Sequence, residues 1–212
     1  MPSPLRRALH RFIPEHFHDP FGLALRLLRT RDPAALFAME SALAGALLTP
    51  LDLLLQAAER RRYQAAESPR LPMIFVCGPA RSGTTLVAQT LMRHLPVAYI
   101  NNLTAVFPRS PLTANALFGR LIGPPRISYG SYYGRTQHWS GPNDGLHLWD
   151  RWLGKDRTAI RSSLTEEETT AMRRFFGALE QATGKPLVNK NNSLNACANV
   201  VARTLEGSHF LC

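Results

Sequence analysis

From residue 71 onward the chain alternates between short unbroken apolar runs and longer segments with helical spacing. Leu71-Pro72-Met73-Ile74-Phe75-Val76-Cys77 is a continuous apolar run bounded by turn residues, the pattern of a strand buried on both faces. Gly78 to Gly83 reads as a loop, and Thr84 to His94 as a helix with Leu86, Thr90, Leu91 and His94 near one face. Val97 to Ile100 reads as a second strand, Pro186 to Lys190 as a third and Ser208 to Cys212 as the start of a fourth, with a helix over Ser193 to Leu205. Thr165-Glu166-Glu167-Glu168 is a capping box, opening a helix that ends near Thr183-Gly184. Between Asn101 and about Leu164 the chain is rich in Gly, Pro, Asn and aromatics, with one helix expected at Thr113 to Ile122. Strand and helix in alternation predict an α/β fold, a parallel sheet with flanking crossover helices.

Residues 1 to 70 read as a helical N-terminal segment, distinct from the domain expected over 71 to 212. Thr49 as N-cap, Pro50 at the first helical position and Asp52 at the third predict a helix through Leu51, Leu54, Leu55 and Ala58. That helix runs out in Glu59-Arg60-Arg61-Arg62, and Ser68-Pro69 breaks the chain. The apolar stretch from Ala34 to Ala58 is interrupted by Glu40, Pro50 and Asp52, whereas a spanning helix needs roughly 20 mostly apolar residues. Two readings stay open. The segment packs as a pair of helices on the domain, or it lies on a membrane with Arg6, Arg7, Arg11, Arg26, Arg29 and Arg31 toward the headgroups. The basic N-terminus has no uninterrupted apolar stretch behind it, so no signal peptide is supported and a cytoplasmic or membrane-associated location is expected.

With 212 residues, 45 % hydrophobic and 19 % charged, the composition is that of a globular chain able to build one core. Lys and Arg outnumber Asp and Glu by 25 to 15, a net charge of +10, which favours anionic partners. No nucleic-acid-binding motif accompanies that charge and the arginines are scattered, so nucleic acid is not an expected partner. The three cysteines, Cys77, Cys197 and Cys212, show no CxxC spacing, which argues against a disulfide framework or a zinc site.

The chemistry concentrates in Gly78-Pro79-Ala80-Arg81-Ser82-Gly83-Thr84-Thr85. A buried strand that runs through a Gly-containing loop into a helix directs backbone N–H groups and the positive end of the helix dipole at an anion. Ser82, Thr84 and Thr85 add hydroxyls, and Arg81 adds a fork suited to phosphate or sulfate. A nucleoside-triphosphate loop reads GxxxxGK[ST]; here Gly78 and Gly83 have that separation, but Thr84 stands in place of the lysine. The segment instead resembles the 5′-phosphosulfate loop of the sulfotransferase family, in which a lysine or arginine precedes Ser-Gly-Thr-Thr. Pro186-Leu187-Val188-Asn189-Lys190-Asn191-Asn192-Ser193, a helix, and then Gly207-Ser208-His209-Phe210-Leu211 resemble that family's next block.

The resemblance covers roughly residues 71 to 212 and implies a P-loop NTPase-like fold that binds 3′-phosphoadenylyl sulfate and needs no metal. It implies that Arg81, Ser82, Gly83, Thr84 and Thr85 hold the 5′-phosphosulfate and that Lys190 lies by the leaving phosphate. It also implies that ligands of the donor's 3′-phosphate follow Cys212, so that the chain is expected to be incomplete at its C-terminus. The Lys-x-His that many members carry reads Lys190-Asn191-Asn192 here and offers no base. Asp144 and His147, in a stretch between tryptophans, are the candidate general bases, and with Asp150 they would share one face of a helix. The acceptor, whether small molecule, carbohydrate or lipid, is left open. A divergent nucleotide kinase or NTPase and a non-catalytic anion-binding remnant are the alternative readings.

Overall fold

The computed structural model describes residues 22, 29–30, 32–79, 81–132, 135–154 and 160–212. Arg6, Arg7, Arg11, Arg26, Arg31 and Ala80 lie outside the described residues, while Arg29 is exposed. In chain order, helices α1 (Pro33–Leu47) and α2 (Thr49–Ala65) precede strand β1 (Met73–Val76) and helix α3 (Thr84–His94). The central stretch holds α4 (Asn102–Val106), α5 (Pro111–Phe118), the short strands β2 (Ser131–Tyr132) and β3 (Arg135–Thr136), and α6 (Leu146–Leu153). Then come α7 (Glu166–Thr183), β4 (Leu187–Lys190), a 3₁₀ turn (Asn192–Ala196), α8 (Ala198–Thr204) and β5 (Ser208–Leu211).

The architecture is α/β: a three-stranded parallel sheet of order β4-β1-β5, flanked by helices. Met73 pairs with Leu187 on one side and Ser208 on the other, and Val76 with Lys190 and Leu211. Side chains alternate across β1, as a pleated strand requires. Val76, with Val188 of β4, packs on Ala88 and Met92 of α3. Met73 and Phe75 face a larger core with Trp149 and Trp152 of α6, Phe175 and Phe176 of α7, and Val200 and Val201 of α8. The crossover from β1 through α3 therefore runs on one face, and the crossover from β4 through α8 to β5 on the other. A sheet wound on both faces opens a crevice at the carboxyl ends of the strands where the winding reverses.

Several expected elements change shape. The strand expected over Val97 to Ile100 reduces to one parallel bridge, Ala98 to Leu187, because the Ile100 carbonyl accepts from Asn143 N–H at 2.7 Å and turns the chain off the sheet. The helix expected over Ser193 to Leu205 breaks at Cys197 into the 3₁₀ turn and α8. Thr49 is not an N-cap; its hydroxyl donates to the Gly45 carbonyl at 2.8 Å. Asp52 does not cap its own helix either. Its carboxylate is fully buried and accepts from Arg109 N–H at 3.1 Å, Ser110 N–H at 3.0 Å and the Ser110 hydroxyl at 2.8 Å.

Seven residues along the same face of α2, Glu59 is 1 % exposed. It accepts from Leu112 N–H at 3.1 Å, Thr113 N–H at 2.8 Å and the Thr113 hydroxyl at 2.7 Å. Those amides belong to the first turn of α5, whose positive end a carboxylate stabilises. Tyr63, one turn further, donates to Glu59 at 2.5 Å. Burial, and then the Glu59 charge, push its phenol well above the usual range. The N-terminal helices are thus fastened to the domain by two acids, not by apolar contact alone.

Candidate functional site

The carboxyl ends of β1 and β4 carry the candidate residues. The loop after β1 alternates in hand: Arg81 and Gly83 have φ of 69° and 84°, and Ser82 between them keeps the ordinary sign. That alternation lets successive backbone N–H groups converge on one point. For glycine the left-handed conformation is free, whereas at Arg81 it costs about 1 kcal/mol. Ser82 closes the turn, its N–H and hydroxyl both meeting the Pro79 carbonyl, at 3.3 and 2.8 Å. Gly78 leaves little room for a side chain: a Cβ there would come within 2.8 Å of both Ser82 Oγ and Thr84 Cγ2, which would have to shift. No side chain caps the N-terminus of α3, so its first-turn amides face the loop.

Of the five loop residues, Arg81, Ser82 and Gly83 are exposed, Thr84 is buried and Thr85 half-buried. The Thr84 hydroxyl reaches Asn192 Oδ1 at 3.3 Å, tying the loop to the turn after β4. Asn191 is fully buried at that turn; its N–H donates to the Val76 carbonyl and its Oδ1 accepts from Ser193 N–H, while Nδ2 has no partner among the described residues.

Lys190 ends β4 almost wholly buried, with Nζ 2.8 Å from Asp144 Oδ2. The pair lies in a cleft that opens to solvent beside α3, lined by Thr85, Gln89, Thr136, Asn143, Asp144 and Lys190 among others. The structure therefore joins three of the expected residues, Thr85, Asp144 and Lys190, around one space. His147 stands outside that lining, half-buried on the first turn of α6.

The expectation that Asp144, His147 and Asp150 share a helix face is corrected. α6 begins at Leu146, with Gly145 as its left-handed N-cap, so Asp144 lies in the loop before it. What positions that loop is a set of asparagines. Asn189 of β4 accepts from Trp149 Nε1 at 2.9 Å and donates to the carbonyls of Asn143 and Asp144 at 3.3 and 3.4 Å. Asn143 donates to Asn102 Oδ1 at 2.8 Å, and Asn102 donates to the His138 carbonyl at 2.8 Å. Asn is depleted in strands and costly to bury without partners, so Asn189 inside an apolar strand was the available signal for this network.

Cys77, the last residue before the loop, is buried, and its Sγ lies 2.7 Å from that of Cys212. Burial, and then the neighbouring thiol, push Cys77 up to about 12, above the ordinary thiol range. No protein-family model, no curated protein and no solved structure matches the chain.

Proposed function

We propose that this chain carries the donor-binding part of a sulfotransferase, with a P-loop NTPase-like arrangement and 3′-phosphoadenylyl sulfate as the sulfuryl donor. The observation that carries the reading is the meeting, at one end of the sheet, of a lysine-free anion loop and the buried Lys190–Asp144 pair. The amides at the start of α3, with Arg81, Ser82, Gly83, Thr84 and Thr85, would hold the 5′-phosphosulfate. An acceptor oxygen attacks the sulfur in line, the sulfur–oxygen bond to the 5′-phosphate breaks, and the negative charge that collects on that phosphate is stabilised by Lys190. Lys190 is then shared between Asp144 and the donor. Asp144, 2.8 Å from that lysine, takes the acceptor's proton; His147, nearby in sequence, is the other base candidate. The acceptor is a small molecule, a carbohydrate or a lipid bearing a hydroxyl or amine, and the reaction needs no metal.

Two measurements test this. In a form extended to carry the 3′-phosphate ligands, calorimetry with adenosine 3′,5′-bisphosphate should show binding that Arg81→Ala weakens by about 10- to 100-fold, the cost of one charge-assisted hydrogen bond. Equal affinity in the variant removes Arg81 from the site. Separately, the chain should show no magnesium-dependent ATP hydrolysis, because the loop lacks the lysine that clamps β- and γ-phosphates. ATPase activity abolished by a chelator replaces this reading with the kinase-like one.

A further inference from the structure

α1 and α2 meet at a corner bent by 72°. Their inward sides bear on one body: Ala44, Leu51 and Leu55 pack around Phe107 and Ala114, and Asp52 and Glu59 bond to residues 109–113. The opposite sides therefore face away from the domain, and they are apolar. Leu43 is 63 % exposed, Leu47 71 % and Leu54 77 %, with Leu48 and Leu53 also exposed. A contiguous exposed apolar patch on a chain of this charge marks a contact surface.

The charges around the patch select its partner. Arg60, Arg61 and Arg62 are all exposed. Leu54 and Arg61, like Leu53 and Arg60, are seven residues apart and share a face of α2, which puts each arginine about 10 Å along the axis from its leucine. Both acids of α2 are buried on the other side, so its exposed side carries leucine, alanine and arginine and no acid. The exposed Glu40 of α1 lies one turn from Leu43, about 4.5 Å along the axis, at the edge of the patch. An interfacial helix lies in the membrane plane with its apolar side roughly 5–10 Å deep and its cations at the headgroups, and the exposed leucines and Arg60–Arg62 supply both parts.

We infer that the α1–α2 corner docks on an anionic lipid surface, with Leu43, Leu47, Leu48 and Leu54 entering the acyl boundary and Arg60–Arg62 meeting the phosphates. A second copy of this chain fits less well. A two-fold contact through the same patch would set the two arginine triplets on one interface, and like charges there oppose association. Among the described residues no single helix is long and apolar enough to cross a membrane, although the two helices of this bent pair are so when taken together; the bonds of Asp52 and Glu59 to residues 109–113 hold α2 on the domain, which favours docking. It is independent of the sulfotransferase reading.

The test is co-sedimentation of the full chain with vesicles of phosphatidylcholine alone or mixed with phosphatidylserine, alongside analytical ultracentrifugation without lipid. The chain should pellet with the mixed vesicles, less so as salt is raised, and little with phosphatidylcholine alone. Arg60→Ala, Arg61→Ala and Arg62→Ala together should weaken binding by about a hundredfold. Leu47→Glu with Leu54→Glu should abolish it while the circular dichroism spectrum stays unchanged, since both side chains already face water. The proposal is overturned if the chain ignores anionic vesicles, or if the leucine variants bind them as well as the parent does. It is equally overturned if those variants only convert a dimer to a monomer, which would make the patch a contact between copies.

Discussion

The chain withdraws acidic side chains from solvent in two places and treats them differently. Asp52 and Glu59 are fully buried, and each accepts several bonds from backbone amides and hydroxyls fixed in the fold. Asp144 keeps about a quarter of its side chain exposed, and its buried partner Lys190 reaches it on a long stem beside a small cleft. Backbone partners cannot leave without unfolding, whereas a lysine ammonium can turn toward an incoming anion. The first arrangement is suited to fastening and the second to exchange, although both are carboxylates out of bulk water.

Substitutions should separate the two. The largest effect is expected at Glu59. Glu59→Ala strands two first-turn amides of α5 and two hydroxyls, and at roughly 1–3 kcal/mol for each unsatisfied group the loss should exceed 3 kcal/mol in urea unfolding. A loss below 1 kcal/mol would mean that water replaces the carboxylate and that the site is no fastening.

Lys190→Met should cost much less stability, about 1–2 kcal/mol, because the Asp144 left behind can be hydrated. Its signature lies in function: in the extended form, affinity for adenosine 3′,5′-bisphosphate should fall about 10- to 100-fold. If stability collapses while nucleotide affinity holds, Lys190 belongs with the fastening groups and the comparison fails.

The smallest effect is a dependence on alkaline pH. Burial holds Tyr99 up to about 12 and, with the Glu59 charge added, raises Tyr63 further. A folded-state pKa above the unfolded value of about 10 gives stability that is complete below pH 10 and lost as pH climbs through the folded value. The urea midpoint should therefore drop as pH rises from about 10 to about 12, and Tyr63→Phe should shallow the drop. An identical slope in that variant would show that Tyr63 does not feel Glu59.

What could be read from the sequence was local. Thr84–His94 has its expected bounds, and the Thr165 capping box is formed in both directions, Glu168 N–H to Thr165 Oγ1 at 3.2 Å and Thr165 N–H to the Glu168 carboxylate at 2.9 Å. These depend on residues within a turn of each other. The three sheet strands were legible for a similar reason, as short apolar runs between turn residues. The site was legible only in halves. Lys190 and Asp144 are 46 positions apart, and nothing local in either shows that they meet; the asparagines that bring them together bond across similar distances. The inward turn of Asp52 was lost because an acid in the first turn of a helix already has a local explanation, and that explanation concealed the long-range one.

The position of β1 has a consequence for how the protein is made. β1 is the middle strand of its sheet, yet both neighbours lie more than a hundred residues downstream, Met73 pairing with Leu187 and Ser208. At about 5–20 residues per second of synthesis, Phe75 and Val76 leave the ribosome many seconds before any strand exists to cover their edges. Through that interval α2 and the start of α5, joined by Asp52 and Glu59, can already pair, since those bonds need nothing beyond residue 113. The nascent chain would thus hold paired helices alongside an unpaired apolar strand. That strand edge is where a holding chaperone should bind, and it should let go once Leu211 has emerged.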